Sequence, residues 1–419
     1  MNNAAEYLEY ERLGDFYRKN NYKKAYLCYE NAEFLCPELQ EKNRIKVKKQ
    51  SIAEENGELP SKVSIVIVSY NCCYMMQRCI ESIRKTCAPQ SYEIVVVENA
   101  STDGVRDWLI QQEDIKVILC DENAGFPLGC NIGIQYSEPA ADIFLLNNDT
   151  RLASNALFWL RMGLCESEAA GAVGCVANYC GNEQQIDVEF LLPEDYLRYG
   201  AAQNIPCEHP YEERNRLSGF AMLIRRKALE QIGGQLDVNL SPGYFEDDDL
   251  SMRLIDAGYR LYICHNSFIY HAGSQSFCGR DDLDEIMVRN YYYFLNKWNY
   301  DVLAYSFSNA EAIRQITQKE ADCFRVLEIG AGSGVTLSRI RYFYPEAECY
   351  GLERNKQAVH YGVRGIPLYW GEWMEMELPF EKESFDYIIY TPHENDPADR
   401  AQIEERFSGY LKPGSGIFL

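Results

Sequence analysis

Polar residues that could bind a phosphorylated ligand follow four successive apolar runs of the sequence. The runs are VSIVIVS, EIVVV, KVILC and DIFLL, and each is followed by amide, hydroxyl or carboxyl side chains. These are Tyr70 with Asn71, the stretch from Glu98 to Asp103, the stretch from Asn123 to Phe126, and the stretch from Asn147 to Asp149. One such cluster would be a turn, whereas four in succession indicate a binding site.

The chemistry that these side chains favour is binding of a nucleotide diphosphate. Asp149 could hold a divalent cation, because such ions prefer hard oxygen ligands and can bridge two phosphates. Glu98, Asn99 and Asp103 could hydrogen-bond a base or a ribose. Each residue alone is also consistent with a turn or a helix cap, and Asp103 could cap the helix of VRDWLI.

The elements that position these residues are short β-rich runs separated by helix-length segments, starting near Lys62. This alternation is typical of βαβ units and predicts an α/β protein with a mainly parallel sheet. Ligands of such sheets lie beyond the carboxyl ends of the strands, which is where the four polar clusters fall.

Two other segments flank this part, and we predict domains over residues 1–60, 61–300 and 301–419. Residues 4–37 resemble one tetratricopeptide repeat, a small α-helical hairpin, although the turn at Asn20 and Asn21 is short for the usual period. A lone repeat cannot bury both of its faces. It is therefore expected to pack on the next domain, or to dock a partner or a second copy in a homo-oligomer.

Composition narrows the classes of function. The 419 residues contain 41 Lys and Arg against 63 Asp and Glu, a net charge of −22, which argues against nucleic acid as a partner. The N-terminus has no signal-peptide core and no transmembrane segment is predicted. We expect a cytoplasmic protein, free or peripheral to the inner face of the membrane. The 16 cysteines include no C-x-x-C pair and fit reduced, buried thiols.

Seven blocks in order give the central part a family resemblance. From Val63 to about Phe277 the sequence resembles the family 2 glycosyltransferases, which have the GT-A fold of nucleotide-diphospho-sugar transferases. The blocks are VSIVIVSYN, VVVENASTDG, NAGFPLGCNIGI, FLLNNDT, SGFAMLIRRKALEQIGG, YFEDDDLSMRLIDAGYRL and FIYHAGSQSF. They cover roughly half the chain.

The resemblance implies transfer of a sugar, with inversion, from a UDP- or dTDP-sugar to a glycan, lipid-linked glycan or protein acceptor. Asp247 matches the family's catalytic base, and Glu246 is the second choice for touching the acceptor. Asp149 ends the metal motif for Mn²⁺ or Mg²⁺, although Asn147 stands where many relatives have Asp. His271 matches an added metal ligand, or else caps a buried turn.

The resemblance also implies a set of nucleotide-sugar-binding residues at the strand ends. These are Ser69, Tyr70, Asn71, Glu98, Asn99, Asp103, Asn123, Gly125 and Asn148. Glu98 stands where the family usually has the shorter Asp.

A glycine-rich turn marks the C-terminal segment. VLEIGAGSG and the runs after it resemble the first five strands of a Rossmann-like, S-adenosylmethionine-dependent methyltransferase. By that resemblance Glu328, Gly330 and Gly332 would cradle the methionine part, Glu353 the ribose, and Glu372 would lie near the adenine. The sequence stops inside the fifth strand, so we expect a partial domain, either cut from a longer protein or degenerate.

Three hypotheses remain. The leading one is a metal-assisted inverting glycosyltransferase for surface polysaccharide biosynthesis or protein decoration. The second is a methyltransferase for which the GT-A half presents the substrate. The third is a noncatalytic assembly protein that uses its helical hairpin as the interface.

Overall fold

The computed structural model describes residues 3–273, 281–393, 399–414 and 416–419. Residues 274–277, which close the last of the seven blocks, lie outside the described residues. The chain forms two compact units. The first comprises Met1–Pro210, Leu217–Leu250 and Tyr262–Ile286, and the second comprises Tyr211–Arg216, Ser251–Leu261 and Met287–Leu419. The predicted boundaries at residues 60 and 300 stay predictions.

Three helices open the first unit: α1 (Asn3–Tyr17), α2 (Tyr22–Leu35) and α3 (Leu39–Asn56). Helices α1 and α2 pack closely because Gly14 has no Cβ, and one built there would lie 2.7 Å from the ring of Tyr29. The Asn21 side chain caps α2 and also donates to the carbonyl oxygen of Cys165. The helices therefore pack on the rest of the unit, as one of the two expectations had it, while the tetratricopeptide resemblance stays a prediction.

A mixed sheet follows, with the strand order β3-β2-β1-β4-β8-β6-β9-β5 and with β7 paired to β9. Its strands are β1 (Val63–Ser69), β2 (Tyr92–Glu98), β3 (Ile115–Leu119), β4 (Asp142–Leu146), β5 (Thr150–Leu152), β6 (Ala170–Val176), β7 (Tyr211–Arg214), β8 (Ala221–Ile224) and β9 (Arg260–His271). Strands β1 to β4 are parallel. Strand β8 runs antiparallel to β4 and β6, and β5 runs antiparallel to β9.

Helices alternate with these strands, and the parallel strands β1, β2 and β4 are mostly buried and apolar, as is typical of a sheet covered on both faces. The helices are α4 (Cys73–Thr86), α5 (Val105–Leu109), α6 (Gly125–Tyr136), α7 (Ala156–Leu164), α8 (Pro193–Gln203), α9 (Arg226–Gln231) and α10 (Glu246–Asp256). Helix α6 lies close to β1, because a Cβ on Gly133 would be 2.3 Å from Val66. This packing brings the start of α6 to the carboxyl end of the sheet.

The second unit contains a parallel sheet with the strand order β12-β11-β10-β13-β14. The remaining elements in chain order are α11 (Leu283–Trp298), α12 (Val302–Tyr305), α13 (Ala310–Arg314), β10 (Arg325–Ile329), α14 (Val335–Phe343), β11 (Glu348–Glu353), α15 (Lys356–His360), β12 (Leu368–Trp370), β13 (Tyr387–Tyr390), α16 (Arg400–Phe407) and β14 (Ile417–Phe418). The strand positions follow the apolar runs of the sequence, while the methyltransferase resemblance stays a prediction.

The α/β class predicted from the alternating runs is confirmed by these two sheets. Among the described residues no helix is both long enough and apolar enough to cross a membrane.

Candidate active site

Strand pairing brings Asp149 and His271 together. Strand β5 begins at Thr150, which stands opposite His271, the last residue of β9. The pairing continues for one more bond, from the Ala272 amide to the Asp149 carbonyl at 3.0 Å. Asp149 Oδ1 then lies 3.2 Å from His271 Nε2, and both side chains are buried.

The hydrogen bond on the other ring nitrogen decides what His271 presents to Asp149. Nδ1 lies 2.7 Å from the Tyr179 carbonyl oxygen. A carbonyl only accepts, so Nδ1 carries a proton, and when the ring is neutral Nε2 presents a lone pair to Asp149 Oδ1. Within the described part of the chain, neither His271 Nε2 nor Asp149 Oδ1 has a hydrogen-bond partner. Two buried acceptors that face each other are costly, and a cation between them would remove that cost.

The residues present therefore fit a divalent cation with an oxygen and a nitrogen ligand from the protein. The described residues contain no group of three or more His, Cys, Asp or Glu side chains suited to a metal. Asp149 and His271 would supply two ligands, and the remaining positions would fall to the oxygens of a bound diphosphate and to water.

Asp247 lies in the first turn of α10 and is partly exposed, which is compatible with the role of base predicted for it. The Gly219 amide donates to its Oδ2 at 2.8 Å, and the Asp248 amide donates to its Oδ1 at 2.9 Å. These two bonds fix the direction of the carboxylate. The backbone just before it is strained, because Tyr244 and Phe245 both have positive φ angles, of 75° and 69°. Such strain often accompanies functional sites.

Two consecutive residues, Gly219 and Phe220, link Asp247 to the Asp149–His271 pair. Gly219 donates to Asp247, while the next residue, Phe220, stacks on the His271 ring with centroids 4.7 Å apart and an angle of 14°. The Phe220 carbonyl also accepts from the Asn147 amide at 2.8 Å. Asp247 is therefore held beside the pair by consecutive residues at the start of β8.

Glu246 differs from Asp247 in its surroundings. It is buried, and its Oε2 has no hydrogen-bond partner among the residues described. Burial, followed by the charge of Asp247, raises the pKa of Glu246 well above its usual value. An enclosed carboxyl is poorly suited to the acceptor contact predicted for it, and that contact stays a prediction.

The end of β1 forms a left-handed turn next to the loop after β2. Asn71 and Cys72 have φ angles of 55° and 61°. The Asn71 side-chain oxygen accepts from the backbone amide of Thr102 at 2.9 Å. The backbone amide of Asn71 donates to Ser101 Oγ at 2.8 Å. Asp103 accepts from the amides of Cys73, at 2.7 Å, and Val105, at 3.2 Å. Asp103 therefore contacts the first residues of α4 and α5, although Gly104 is the N-cap residue of α5, and both predicted uses of Asp103 stay predictions.

The ends of β1 and β2 also contain buried acceptors. Glu98 Oε1 accepts from the Ser101 amide at 2.7 Å, whereas its Oε2 has only Arg106 at 3.6 Å. Ser69 Oγ is buried and without a hydrogen-bond partner in the described structure. Tyr70 is partly exposed beside them. The Asn148 amide donates to the Asn71 carbonyl at 3.4 Å, which joins this turn to the residue before Asp149.

Asn99 ties the end of β2 to the start of α6. Its amide nitrogen donates to Asn123 Oδ1, and its Oδ1 accepts from the Ala124 amide, both at 2.8 Å. Gly125 has a φ of 77°, and a Cβ there would lie 2.7 Å from Ser241 Oγ. Glycine is therefore required at 125 by the loop that leads to α10, a reason additional to the backbone approach predicted for the donor.

The glycine-rich turn of the second unit is filled by the chain itself. The Glu353 carboxylate accepts from the amides of Gly332, at 2.8 Å, and Asn355, at 2.7 Å. The Tyr305 carbonyl lies 2.6 Å from where a Cβ on Gly332 would be, and the Thr391 carbonyl lies 2.2 Å from that of Gly330.

Two further residues were predicted to bind S-adenosylmethionine, and only the first of them contacts this turn. Glu328 is buried, accepts from Thr391 Oγ1 at 2.7 Å, and has its pKa raised by burial to about 7. The fifth predicted residue, Glu372, is exposed and lies 3.9 Å from Arg354.

Three contacts of the first unit were missed by the sequence. Asn178 and Tyr179 hold His271, and Phe220 stacks on it. The Tyr179 bond uses a backbone carbonyl oxygen, which every residue type offers, whereas the Asn178 bonds use a side chain that lies in none of the seven blocks. Phe220 lies in a matched block, but an aromatic residue next to a strand is usually a core residue, so the sequence offered no reason to place it at the site.

Comparison with known proteins gives a family match for part of the chain. Residues 64–233 match the model of Glycosyl transferase family 2. This match supports a family 2 glycosyltransferase domain over the stretch that contains nearly all of the first five of the seven blocks.

Individual relatives are more distant. The chain is 28% identical over 212 residues to Glycosyltransferase AglE of Haloferax volcanii, covering 49% of this chain and 64% of that protein. Among solved structures it resembles GalNAc-T7 with UDP, GalNAc and Mn²⁺, at 15% identity and a TM-score of 0.45, over 61% of this chain and 50% of that one. It also resembles the mannosyltransferase PcManGT from Pyrobaculum calidifontis with GDP-Man and Mn²⁺, at 16% identity and a TM-score of 0.42, over 67% and 70% of the two chains. No conclusion about activity follows at these scores.

Proposed function

We propose that this chain is an inverting glycosyltransferase that moves a sugar from a UDP- or dTDP-sugar to a glycan, lipid-linked glycan or protein acceptor. The observation that carries the proposal is the Asp149–His271 pair. Two buried acceptor atoms face each other at 3.2 Å without hydrogen-bond partners in the described chain, at the carboxyl edge of the sheet. The partly exposed Asp247 is held next to this pair through Gly219 and Phe220.

Asp149 and His271 would hold Mn²⁺ or Mg²⁺, whose charge would offset the charge that gathers on the departing diphosphate. Asp247 takes the proton from the acceptor hydroxyl as that oxygen bonds to the anomeric carbon. The bond from the same carbon to the diphosphate oxygen breaks with its electron pair, and attack from the opposite face inverts the centre. The nucleoside diphosphate leaves with the added charge.

The donor base and ribose lie along the ends of β1 and β2 in this proposal. Glu98 Oε2 and Ser69 Oγ are buried acceptors that a base or ribose donor could satisfy, and Tyr70 offers a partly exposed ring. Tyr70, Asn71, Asn99, Asn123, Gly125 and Asn148 shape the walls of this place. S-adenosylmethionine has no part in the proposal, because the Glu353 and glycine contacts expected for it are made within the chain.

A panel of nucleotide diphosphates and nucleotide sugars, each with and without Mn²⁺, tests the proposal. Thermal shift and donor hydrolysis are measured for the wild type and for Asp149→Ala. We expect one nucleotide to raise the unfolding midpoint only with Mn²⁺, and Asp149→Ala to lose that effect. The matched control is Asp121→Ala, an exposed acid just beyond β3, which should behave as the wild type does.

Two results would contradict the proposal. Binding of no nucleotide under any condition would remove the donor site. Donor cleavage that proceeds equally in the Asp149→Ala variant would separate the activity from this pair. Proton NMR of the first-formed product reports the anomeric configuration and tests inversion directly.

A further inference from the structure

The two residues after β6, Asn178 and Tyr179, hold His271 from the side opposite to Asp149. Neither belongs to the binding residues predicted from the sequence. The Asn178 side chain is bonded to the His271 backbone in both directions. Its Nδ2 donates to the His271 carbonyl at 3.0 Å, and its Oδ1 accepts from the His271 amide at 2.9 Å. The side chain thus acts as a strand neighbour for the last residue of β9.

Tyr179 acts on the ring. Its carbonyl oxygen accepts a hydrogen bond from Nδ1–H at 2.7 Å. In the neutral ring this leaves Nε2 as the lone-pair nitrogen toward Asp149. Its own ring lies 6.1 Å from the imidazole, at an angle of 54°. A Cβ on Gly273 would lie 2.5 Å from the Tyr179 ring, so only glycine admits this placement. The imidazole is therefore enclosed by Tyr179, and by Phe220 in a stacked contact.

We propose that Asn178 is a positioning residue for metal binding. By holding the His271 backbone against Asn178 and Tyr179, it keeps the Nδ1–H to carbonyl bond in place, and with it the tautomer and direction of Nε2. It does not touch the cation or the sugar. Groups of this kind, which orient a histidine ligand, typically change metal affinity by about 10–100-fold when removed. The inference rests on the proposed function, because it needs the Asp149–His271 pair to bind a cation.

A purely structural role for Asn178 makes a different prediction. Such a role would lower the unfolding midpoint and leave Mn²⁺ affinity unchanged at temperatures where the protein is folded. Asn266 provides the matched control. It is a buried asparagine on β9 itself and donates to the Ile205 carbonyl at 2.9 Å, but it does not contact His271 in the described structure.

The experiment titrates Mn²⁺ into the full chain with saturating UDP, and follows free Mn²⁺ by electron paramagnetic resonance. Asn178→Ala is expected to raise the Kd for Mn²⁺ by about 10–100-fold. Asn266→Ala is expected to change it less than about 2-fold, although both variants lose buried hydrogen bonds and stability. An unchanged Kd in folded Asn178→Ala would overturn the proposal.

A second measurement tests the proposal if Asn178→Ala does not fold or if the wild type does not bind Mn²⁺. Nitrogen-15 labelling of the five histidines reads the His271 tautomer. The wild type should carry the proton on Nδ1, and Asn178→Ser, which keeps a polar side chain but not the paired bonds, should show a mixture. A pure Nδ1 tautomer in the variant would contradict the positioning role. If the wild type binds no Mn²⁺ while the tautomer does depend on Asn178, the metal part of the proposed function fails and the positioning contact stands.

Discussion

The two glycine-containing strand ends of this chain, one in each unit, differ in how their polar groups are satisfied. At the edge of the first sheet Asp149 Oδ1, His271 Nε2, Glu98 Oε2 and Ser69 Oγ are buried without hydrogen-bond partners in the described residues. At the edge of the second sheet both oxygens of the Glu353 carboxylate accept backbone amides. In the proposed function a ligand or a cation completes the first site. At the second site the chain itself satisfies Glu353, although Glu328 Oε2 is also buried without a hydrogen-bond partner in the described residues.

The glycines of the second unit also show that its turn is occupied by the chain itself. Gly330 and Gly332 have positive φ angles, and the atoms that crowd their missing Cβ positions are backbone carbonyls of Thr391 and Tyr305. Tyr305 also accepts from the Ser333 amide and hydroxyl, at 2.9 and 2.8 Å. A glycine-rich turn after a strand is therefore weak evidence for a nucleotide. Buried acceptors without donors are stronger evidence for a bound ligand or cation, because an unsatisfied buried acceptor is costly and such a group would remove that cost.

The largest effect is expected at the proposed base. Asp247→Asn keeps the size of the side chain and the acceptor for one amide, but cannot take a proton. Transfer should fall by about 10²–10⁴-fold, with Mn²⁺ and nucleotide binding unchanged. The measurement is steady-state transfer together with nucleotide calorimetry. Loss of nucleotide binding in the same proportion would contradict this prediction. Asp247 would then belong to the donor site and would not act as a base alone.

The next effect concerns the second unit. Glu353→Ala leaves the amides of Gly332 and Asn355 without their acceptor, so we expect a loss of about 1–3 kcal/mol of unfolding free energy per donor, measured by urea unfolding. Glu372→Ala is the control at an exposed carboxylate, and should stay within about 0.5 kcal/mol. Saturable binding of S-adenosylmethionine that Glu353→Ala abolishes without loss of stability would break the comparison, because Glu353 would then serve a ligand.

A smaller effect is expected from the pH dependence of Glu328. Its folded pKa of about 7 lies above the ordinary value of 4.5, chiefly because of burial. The folded state therefore holds the proton more tightly, and the stabilisation is complete below about pH 4.5 and lost as pH rises through about 7. In Glu328→Gln this loss, up to about 3 kcal/mol, should vanish. Urea unfolding of both proteins at about pH 5 and pH 8 measures it, and equal slopes would contradict it.

The sequence predicted the parts of the fold that patterning encodes. Apolar runs and helix-length segments gave the parallel strands, and polar residues at the strand ends located the edge that holds Asp149. The resemblance paired Asp149 with His271, although they are far apart in the chain. For Asp103, the sequence allowed both a cap and a ligand, because the same carboxylate serves either use.

The supporting contacts were beyond sequence reasoning. The Tyr179 carbonyl that fixes the His271 tautomer, and the Tyr305 carbonyl that occupies the second glycine-rich turn, are backbone atoms present in every residue. Their positions depend on tertiary packing, which no local pattern records. The burial of Glu246 beside the partly exposed Asp247 could not be predicted either, because the sequence does not distinguish the four consecutive acidic residues at the start of α10.

The most direct test of the central claim is calorimetry of UDP binding to the wild type and to Asp149→Asn, each with Mn²⁺ and with chelator. Asn at 149 keeps the shape of the side chain and removes its charge. If the buried pair awaits a cation, the wild type should bind UDP far more tightly with Mn²⁺ than with chelator, and the variant should show no difference. Equal binding by both proteins under both conditions would contradict the claim that Asp149 and His271 form a metal site.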